Sequence, residues 1–212
     1  MNTRNYQKEL EKKLEELSKN NEVPTLLLHS CCAPCSSYCI KYLMKYFHIT
    51  VFYYNPNISY IEEYRHRVKE QIRLIEEYNK SMEGYPIKFI EGDYVPQEFY
   101  DIAKGLENCP EGGERCFKCY ELRLDKTAQL AAGKYDYFTT TLTISPLKNA
   151  AKLNEIGEQM AQKYGAVFLN SDFKKKNGYK ESVELSNIYG LYRQNYCGCA
   201  YSKAQAEREG RV

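Results

Sequence analysis

Short apolar, β-branched runs alternate with helical patterns along this chain, which restricts it to a mostly parallel sheet covered by helices on both faces. The runs are Thr25–His29, Ile49–Tyr54, Ile87–Glu91, Tyr137–Thr141 and Ala166–Asn170, with helical stretches predicted over 36–47, 60–79, 96–105, 116–132 and 146–164. Ser59-Tyr60-Ile61-Glu62 has the capping-box form, a hydroxyl and a carboxylate each able to satisfy a free backbone N–H. Ile61, Tyr64, Val68, Ile72 and Ile75 then recur at three and four residues, predicting one apolar stripe. Gly133 and Gly165 stand where helices should stop. Beyond residue 171 the pattern turns polar and helical and carries a Cys-Gly-Cys segment. The 212 residues contain no internal repeat and no long linker, which predicts a helical extension over 1–22 and a single α/β domain over 23–212.

In such sheets the ligand crevice lies beyond the carboxyl ends of the strands. Cys31–Cys35 follow the first run, Tyr54-Asn55-Pro56-Asn57 the second, Glu91-Gly92-Asp93 the third and Thr139–Ser145 the fourth. A pair of adjacent thiols is thereby delivered to the functional rim by position alone.

Three separate segments offer cysteines at close spacing: Cys31-Cys32-Ala33-Pro34-Cys35, Cys116-Phe117-Lys118-Cys119 and Cys197-Gly198-Cys199. Core packing does not require such pairs, whereas a metal cluster or a thiol redox centre does. Residues 3–20 are highly charged and lack the continuous apolar stretch of a secretory signal. No run reaches the roughly 18 apolar residues of a membrane span. A reducing, cytoplasmic setting is therefore expected, in which clustered cysteines are metal-binding or catalytic more often than disulfide staples.

Cys116 and Cys119 are predicted at the start of a helix, one face apart by three residues, where the helix dipole and the flanking Arg115 and Arg123 should favour thiolate. With Cys31 and Cys32 they make four thiols, the complement of a [4Fe-4S] cluster and equally of a structural zinc site. Adjacent side chains are expected to diverge, which suits the spread attachment points of a cluster better than one small ion. Cys35 is left to hold a further metal ion. The glycine of Cys197-Gly198-Cys199 permits a tight turn and a labile disulfide; completing a metal site is the other reading. His29 either moves protons or satisfies a strand end, and His48 and His66 read as surface residues. Lys174-Lys175-Lys176 reads as a solvated face that could grip phosphates, and Asn177-Gly178 as a turn. The net charge of +2 is well short of a dedicated nucleic-acid binder. The 21 tyrosines, with no tryptophan, suit either base stacking or a core with hydrated edges.

His29-Ser30-Cys31-Cys32-Ala33-Pro34, Tyr54-Asn55-Pro56-Asn57, Glu111-Gly112-Gly113-Glu114-Arg115-Cys116-Phe117-Lys118-Cys119-Tyr120, Thr139-Thr140-Thr141-Leu142 with Ser145-Pro146, and Gly190-Leu191-Tyr192-Arg193-Gln194-Asn195-Tyr196-Cys197-Gly198-Cys199 together resemble the cobalamin-independent epoxyqueuosine reductases, the QueH family. The resemblance runs from about residue 23 to 204. It implies an adenine-nucleotide-hydrolase-like, Rossmann-like sheet. It also implies an oxidoreductase acting on tRNA that carries epoxyqueuosine at the wobble position, supplied by an electron donor, with no membrane partner. By the same resemblance, Cys31, Cys32, Cys116 and Cys119 hold a [4Fe-4S] cluster, and Cys197 with Cys199 form a redox-active pair. Removing an epoxide oxygen as water takes two electrons and two protons, so a second carrier is expected: the Cys-Gly-Cys pair, or a second iron or other divalent metal on Cys35 acting as Lewis acid. Some relatives place aspartate at that position. Cys39 and Cys109 match no motif of the family. Wobble-base chemistry needs an unstacked nucleotide in a pocket, for which Tyr54, Asn55, Tyr60, Tyr192, Arg193 and Gln194 are the expected lining.

Two rivals differ in chemistry. An ATP-using tRNA enzyme of the related sheet would need a small-residue phosphate loop after the first strand. Ser30-Cys31-Cys32-Ala33-Pro34 offers bulky thiols and a proline without an N–H instead. A zinc-stabilised, non-catalytic RNA-binding module would use the same four thiols but leave the Cys-Gly-Cys pair idle.

Overall fold

The computed structural model of the chain describes residues 4–81 and 83–211. Four strands, β1 (Thr25–His29), β2 (His48–Tyr53), β3 (Lys88–Glu91) and β4 (Tyr137–Thr140), form an all-parallel sheet in the order β3-β2-β1-β4. The helices are α1 (Tyr6–Asn20), α2 (Ala33–Leu43), α3 (Ile61–Ser81), α4 (Pro96–Ala103), α5 (Glu114–Ala131), α6 (Ala150–Tyr164), α7 (Gly178–Ile188) and α8 (Ala200–Arg208). A 3₁₀ turn over Thr141–Ile144 follows β4.

The central strand shows why the α/β reading holds. Leu26 and Leu28 enter one core with Ile49 and Val51, while Leu27 enters the other with Phe52 and Phe138. A strand buried on both faces reads as a continuous apolar run rather than an alternating one. The first core takes α1, α2, α3 and α7; the second takes α5 and α6. Helix α1, capped by Asn5 on the Lys8 amide, seats Leu10, Leu14 and Leu17 in the first core.

The chain leaves β1 outward through β2 and β3, then returns to β4 on the opposite side. The crevice between the carboxyl ends of β1 and β4 is therefore the topological switch point, where ligands bind in open α/β sheets. Cys31 and Cys32 follow β1 directly into it.

The fifth predicted strand, over 166–170, does not form among the described residues; only Phe138 and Phe168 make an isolated parallel bridge. The ladder stops because side chains take its next groups. The Thr139 hydroxyl donates to the Leu169 carbonyl at 2.7 Å, and the Asn154 amide bonds both backbone groups of Ser171. Helix α2 starts at Ala33 rather than 36, with Pro34 in its first turn where a missing N–H costs nothing. Helix α6 starts at Ala150 rather than 146, capped by Asn149 on the Lys152 amide. The buried stripe of α3 is Tyr64, Arg67, Val68, Gln71, Leu74, Ile75 and Tyr78, while Ile61 and Ile72 are exposed. Among the described residues no helix is long and apolar enough to cross a membrane.

Candidate metal and active site

The cysteine loop after β1 is fixed from behind. The Gln71 side-chain oxygen, in α3, accepts from Ser30 at 2.7 Å and Ser36 at 2.9 Å, and the Asn55 amide donates to the Ser30 carbonyl at 2.8 Å. Both polar side chains are buried. Cys32 is extended and heads α2, placing Cys35 in the first turn. The sulfurs of Cys31, Cys32 and Cys35 all lie within 4.8 Å of one another. Cys31 and Cys32 do not diverge as adjacent side chains were expected to, since their Sγ atoms are 3.8 Å apart. Folded back in this way, the pair can face one metal ion or one corner region of a cluster.

This trio favours one shared thiolate. The Cys32 and Cys35 thiols donate toward Cys31 and hold it well below the ordinary range, assisted by Lys148 and Arg123. Cys32 rises to about 12 and Cys35 is pushed far up, because each faces that charge in a dry site.

His29, fully buried, resolves as a strand-end residue rather than a proton carrier. Its Nε2 faces the Tyr54 carbonyl at 3.1 Å, which can only accept, so Nε2 carries the proton and Nδ1 accepts from Thr140 Oγ1 at 2.9 Å. Burial first, and then Arg123, lowers its pKa from 6.5 to about 3. Below pH 6.5 the unfolded chain takes up this proton and the folded one does not, so stability falls with pH until about pH 3. Between pH 6.5 and about pH 4, the wild type should lose about 3 kcal/mol more than His29→Gln, read from urea midpoints.

Cys116 and Cys119 lie in the first turns of α5 as the sequence predicts, but the expected thiolate bias does not follow. Burial raises both, Cys119 to about 12, although the Gly112 N–H donates to Cys116 Sγ at 3.3 Å. Arg115 does not turn to the sulfurs: its guanidinium donates to the Leu106 and Glu107 carbonyls and lies over the Tyr201 ring. Desolvation outweighs the helix dipole here. Such thiols lose their protons when a metal takes their place.

Cys197-Gly198-Cys199 lies in the loop between α7 and α8, with both thiols unbonded. Ser59 does not cap α3. Its amide donates to the Gly198 carbonyl at 3.1 Å and its hydroxyl accepts from the Ala200 amide at 2.9 Å, which diverts the predicted capping box to holding this loop. Arg67 donates to the Cys197 carbonyl at 3.0 Å while paired with Glu63 at 2.7 Å, and Glu63 also accepts from the Tyr192 hydroxyl at 3.1 Å. Cys199 Sγ caps α8 by accepting from the Ser202 amide at 3.3 Å. Ser59→Ala should therefore cost about 1 kcal/mol. The loss should appear as faster hydrogen exchange at the Ala200 amide, with the first turn of α3 unchanged.

Two hollows meet at Cys197. A cleft of about 280 Å³ is lined by Cys31, Cys32, Cys35, Lys148 and Arg193 among others, and a cavity of about 20 Å³ by Cys116, Cys119, Cys199, Asn57 and Arg123. All three thiol segments thus converge on one place. Its surroundings are cationic. Arg123 is 1% exposed and, among the described residues, reaches only the Cys119 carbonyl and Asn55 Oδ1, with no partner for Nη2. Lys148, half-buried, forms no ion pair among the described residues; burial opposes its charge, and the neighbouring sulfurs, Cys197 and Cys31 foremost, outweigh that and favour it. Buried cations without carboxylates are costly unless negative charge arrives from elsewhere.

Of the expected substrate lining, Arg193 and Gln194 border the cleft, together with Asn195 and Tyr196. Tyr192 packs on His66 and bonds Glu63. Tyr60 is exposed under the Lys203 ammonium. Asn55 is buried behind the thiols, and Tyr54 stacks on Phe52 with its hydroxyl bonded to Glu98. Cys39 is buried and bonds the Cys35 carbonyl, and Cys109 lies in a separate hollow beside Tyr201. His48 and His66 are exposed. Lys174 and Lys176 pair with Asp172 and Glu11 rather than standing free. Sequence reasoning passed over Lys148, Glu111, Arg67 and Gln71 as site residues; the legible signal for the last two was a charge and an amide inside the apolar stripe of α3.

The profile of the family described as epoxyqueuosine reductase QueH matches residues 26–205. Similar proteins carrying that description include those of Streptococcus pyogenes serotype M1, 43% identical over 93% of this chain and 78% of the relative. That of Staphylococcus epidermidis is 43% identical over 93% and 84%. That of Thermotoga maritima is 36% identical over 84% and 90%.

Proposed function

This chain belongs to the epoxyqueuosine reductase QueH family of oxidoreductases, and we propose that it performs the family's reaction on tRNA at the convergent thiol site. The substrate is epoxyqueuosine at the wobble position, and the product is queuosine with the epoxide oxygen released as water. The observation that carries this reading is the meeting of three cysteine segments at the switch point of the sheet, beside buried Arg123 and half-buried Lys148, which have no carboxylate partner among the described residues.

The residues fit an anionic, thiolate-held group. All the donors are soft sulfurs, and the orphaned Nη2 of buried Arg123 suits a negatively charged centre better than an empty apolar core. In this proposal Cys31, Cys32, Cys116 and Cys119 hold a [4Fe-4S] cluster, and Cys35 faces a second iron or other divalent metal. Such a cluster, when bound, passes electrons one at a time. Arg123 and Lys148 offset the thiolate charge, which lowers the cost of burying it.

Cys197 and Cys199 supply the two-electron step. As a dithiol they yield two electrons and two protons on closing to a disulfide, which balances loss of the epoxide oxygen as water; an external electron donor then reopens the disulfide. The wobble nucleotide leaves its stack and enters the cleft, past Arg193 and Gln194, with Tyr60, Lys203 and Tyr192 at the approach. Asn55 and Tyr54 act from behind, fixing the loops that carry the thiols. A reducing compartment, the cytoplasm, keeps the thiols available.

The test uses protein reconstituted anaerobically with iron and sulfide, incubated with epoxyqueuosine-containing tRNA and a low-potential reductant. Mass spectrometry of the digested nucleosides should show epoxyqueuosine replaced by queuosine. A protein that binds this tRNA but leaves the epoxide intact would support a non-catalytic RNA-binding module instead.

A further inference from the structure

The cleft that leads to the thiols is lined by Arg67, Lys148 and Arg193, and among its described lining residues Glu111 is the one carboxylate. Glu111 also borders the small cavity, so it stands where the two hollows join, and its charge acts on Cys116. Its position is built. The turn Pro110–Gly113 closes with the Gly113 amide on the Pro110 carbonyl at 3.1 Å, Gly112 adopts φ +85°, and the Glu111 amide donates to the Gln205 side chain of α8 at 2.9 Å. The carboxylate itself is only loosely matched. Its side chain is 12% exposed, and its nearest cation, the Arg211 Nη2, is 3.7 Å away. That guanidinium is shared, its Nε pairing with Glu209 at 2.7 Å and its Nη1 donating to the Asn195 carbonyl at 3.0 Å.

A cleft this cationic suits phosphates but repels a cation. The substrate of the proposed reaction carries both. Its modified base bears a secondary alkylamine, protonated near neutral pH, on the ring carbon next to the epoxide. We infer that Glu111 receives this ammonium and so holds the epoxide against the thiols, while Arg193 and Lys148 face the negative groups of the tRNA. Glu111 is then a substrate-binding residue that distinguishes the amine-linked ring from neutral analogues. This inference rests on the reaction proposed above.

The experiment compares wild type, Glu111→Gln and Glu111→Asp on two tRNAs. One carries epoxyqueuosine, and the other carries an analogue with ether oxygen in place of the amine nitrogen. Loss of a charge-assisted hydrogen bond should lower kcat/KM of Glu111→Gln on the amine substrate by roughly 10- to 100-fold, chiefly through KM. On the ether substrate wild type and Glu111→Gln should agree within about twofold, because no ammonium remains to be bound. Glu111→Asp should recover part of the loss, with iron and sulfide content unchanged in all three. Equal impairment of Glu111→Gln on both substrates, or none on either, would overturn this role while leaving the reaction standing. A wild type inactive on the amine substrate would overturn the reaction and this role with it.

Discussion

Cys31→Ser should abolish epoxyqueuosine reduction, by at least about 10³-fold in kcat/KM, while leaving the fold intact. Losing a partner of a metal ligand already costs 10- to 100-fold, and losing the ligand itself costs more. Cys31 is also where the charge of the trio settles, with Cys32 and Cys35 donating to it and Lys148 and Arg123 beside it. The substitution keeps nearly the same volume in a site where Thr141 Oγ1 lies 3.7 Å from the sulfur, so serine is accommodated. Iron content after anaerobic reconstitution should fall with activity, and the thermal midpoint of the metal-free protein should hold. A Cys31→Ser protein that retained both iron and activity would remove this thiol from the centre.

Gly198→Ala should be strongly destabilising and should act directly on the site. Gly198 adopts φ +127°, which L side chains rarely enter, and an added Cβ would lie 2.9 Å from Ile58 Cγ1 and 3.2 Å from Arg67 Nη1. Backbone strain of about 1–3 kcal/mol and overpacking of similar size predict a loss of about 4 kcal/mol in urea unfolding. The damage is directed as well as large. Arg67 holds the Cys197 carbonyl and Ser59 holds the Gly198 carbonyl and Ala200 amide, so relieving the clash moves both thiols of the segment. Loss of reduction with Cys31 and Cys32 still able to take up iron is the expected pattern. A Gly198→Ala protein of normal stability and activity would show that the loop is not held as described.

Much of the fold was legible because burial on both faces writes itself into β1 and β2 as nearly continuous apolar runs. Leu26, Leu27 and Leu28 are all fully buried, and each strand lies within a residue of its predicted bounds. The 166–170 run failed because Asn154 and Thr139, distant in sequence, take the hydrogen bonds a fifth strand would need. The capping box failed for the same kind of reason: the partner of Ser59 is Ala200, 141 residues away. Local patterns carry no information about such competitors.

Within the site, clustering of Cys31, Cys32 and Cys35 was readable from adjacency, and their back-folding was not, because it depends on the conformation imposed by Gln71 and Asn55. A helix start at Cys116 was visible too. The burial that reverses its thiolate bias depends on neighbours such as Phe99 and Cys199, which pack against Cys119 from other segments. Lys148 and Glu111 carry the charge pattern of the cleft, yet in sequence Lys148 is one charged residue just past Ser145-Pro146, and Glu111 is one of two acidic residues in the Glu111–Tyr120 motif with nothing to set it apart.

The measurement that most directly tests the central claim is iron, zinc and acid-labile sulfide analysis of anaerobically purified protein, with an absorbance spectrum of the same sample. The account predicts a brown protein with about four iron and four sulfide per chain, bleached by dithionite, with iron beyond four assigned to the second site at Cys35. A colourless protein with one zinc and no sulfide, unchanged after reconstitution with iron and sulfide, would contradict it.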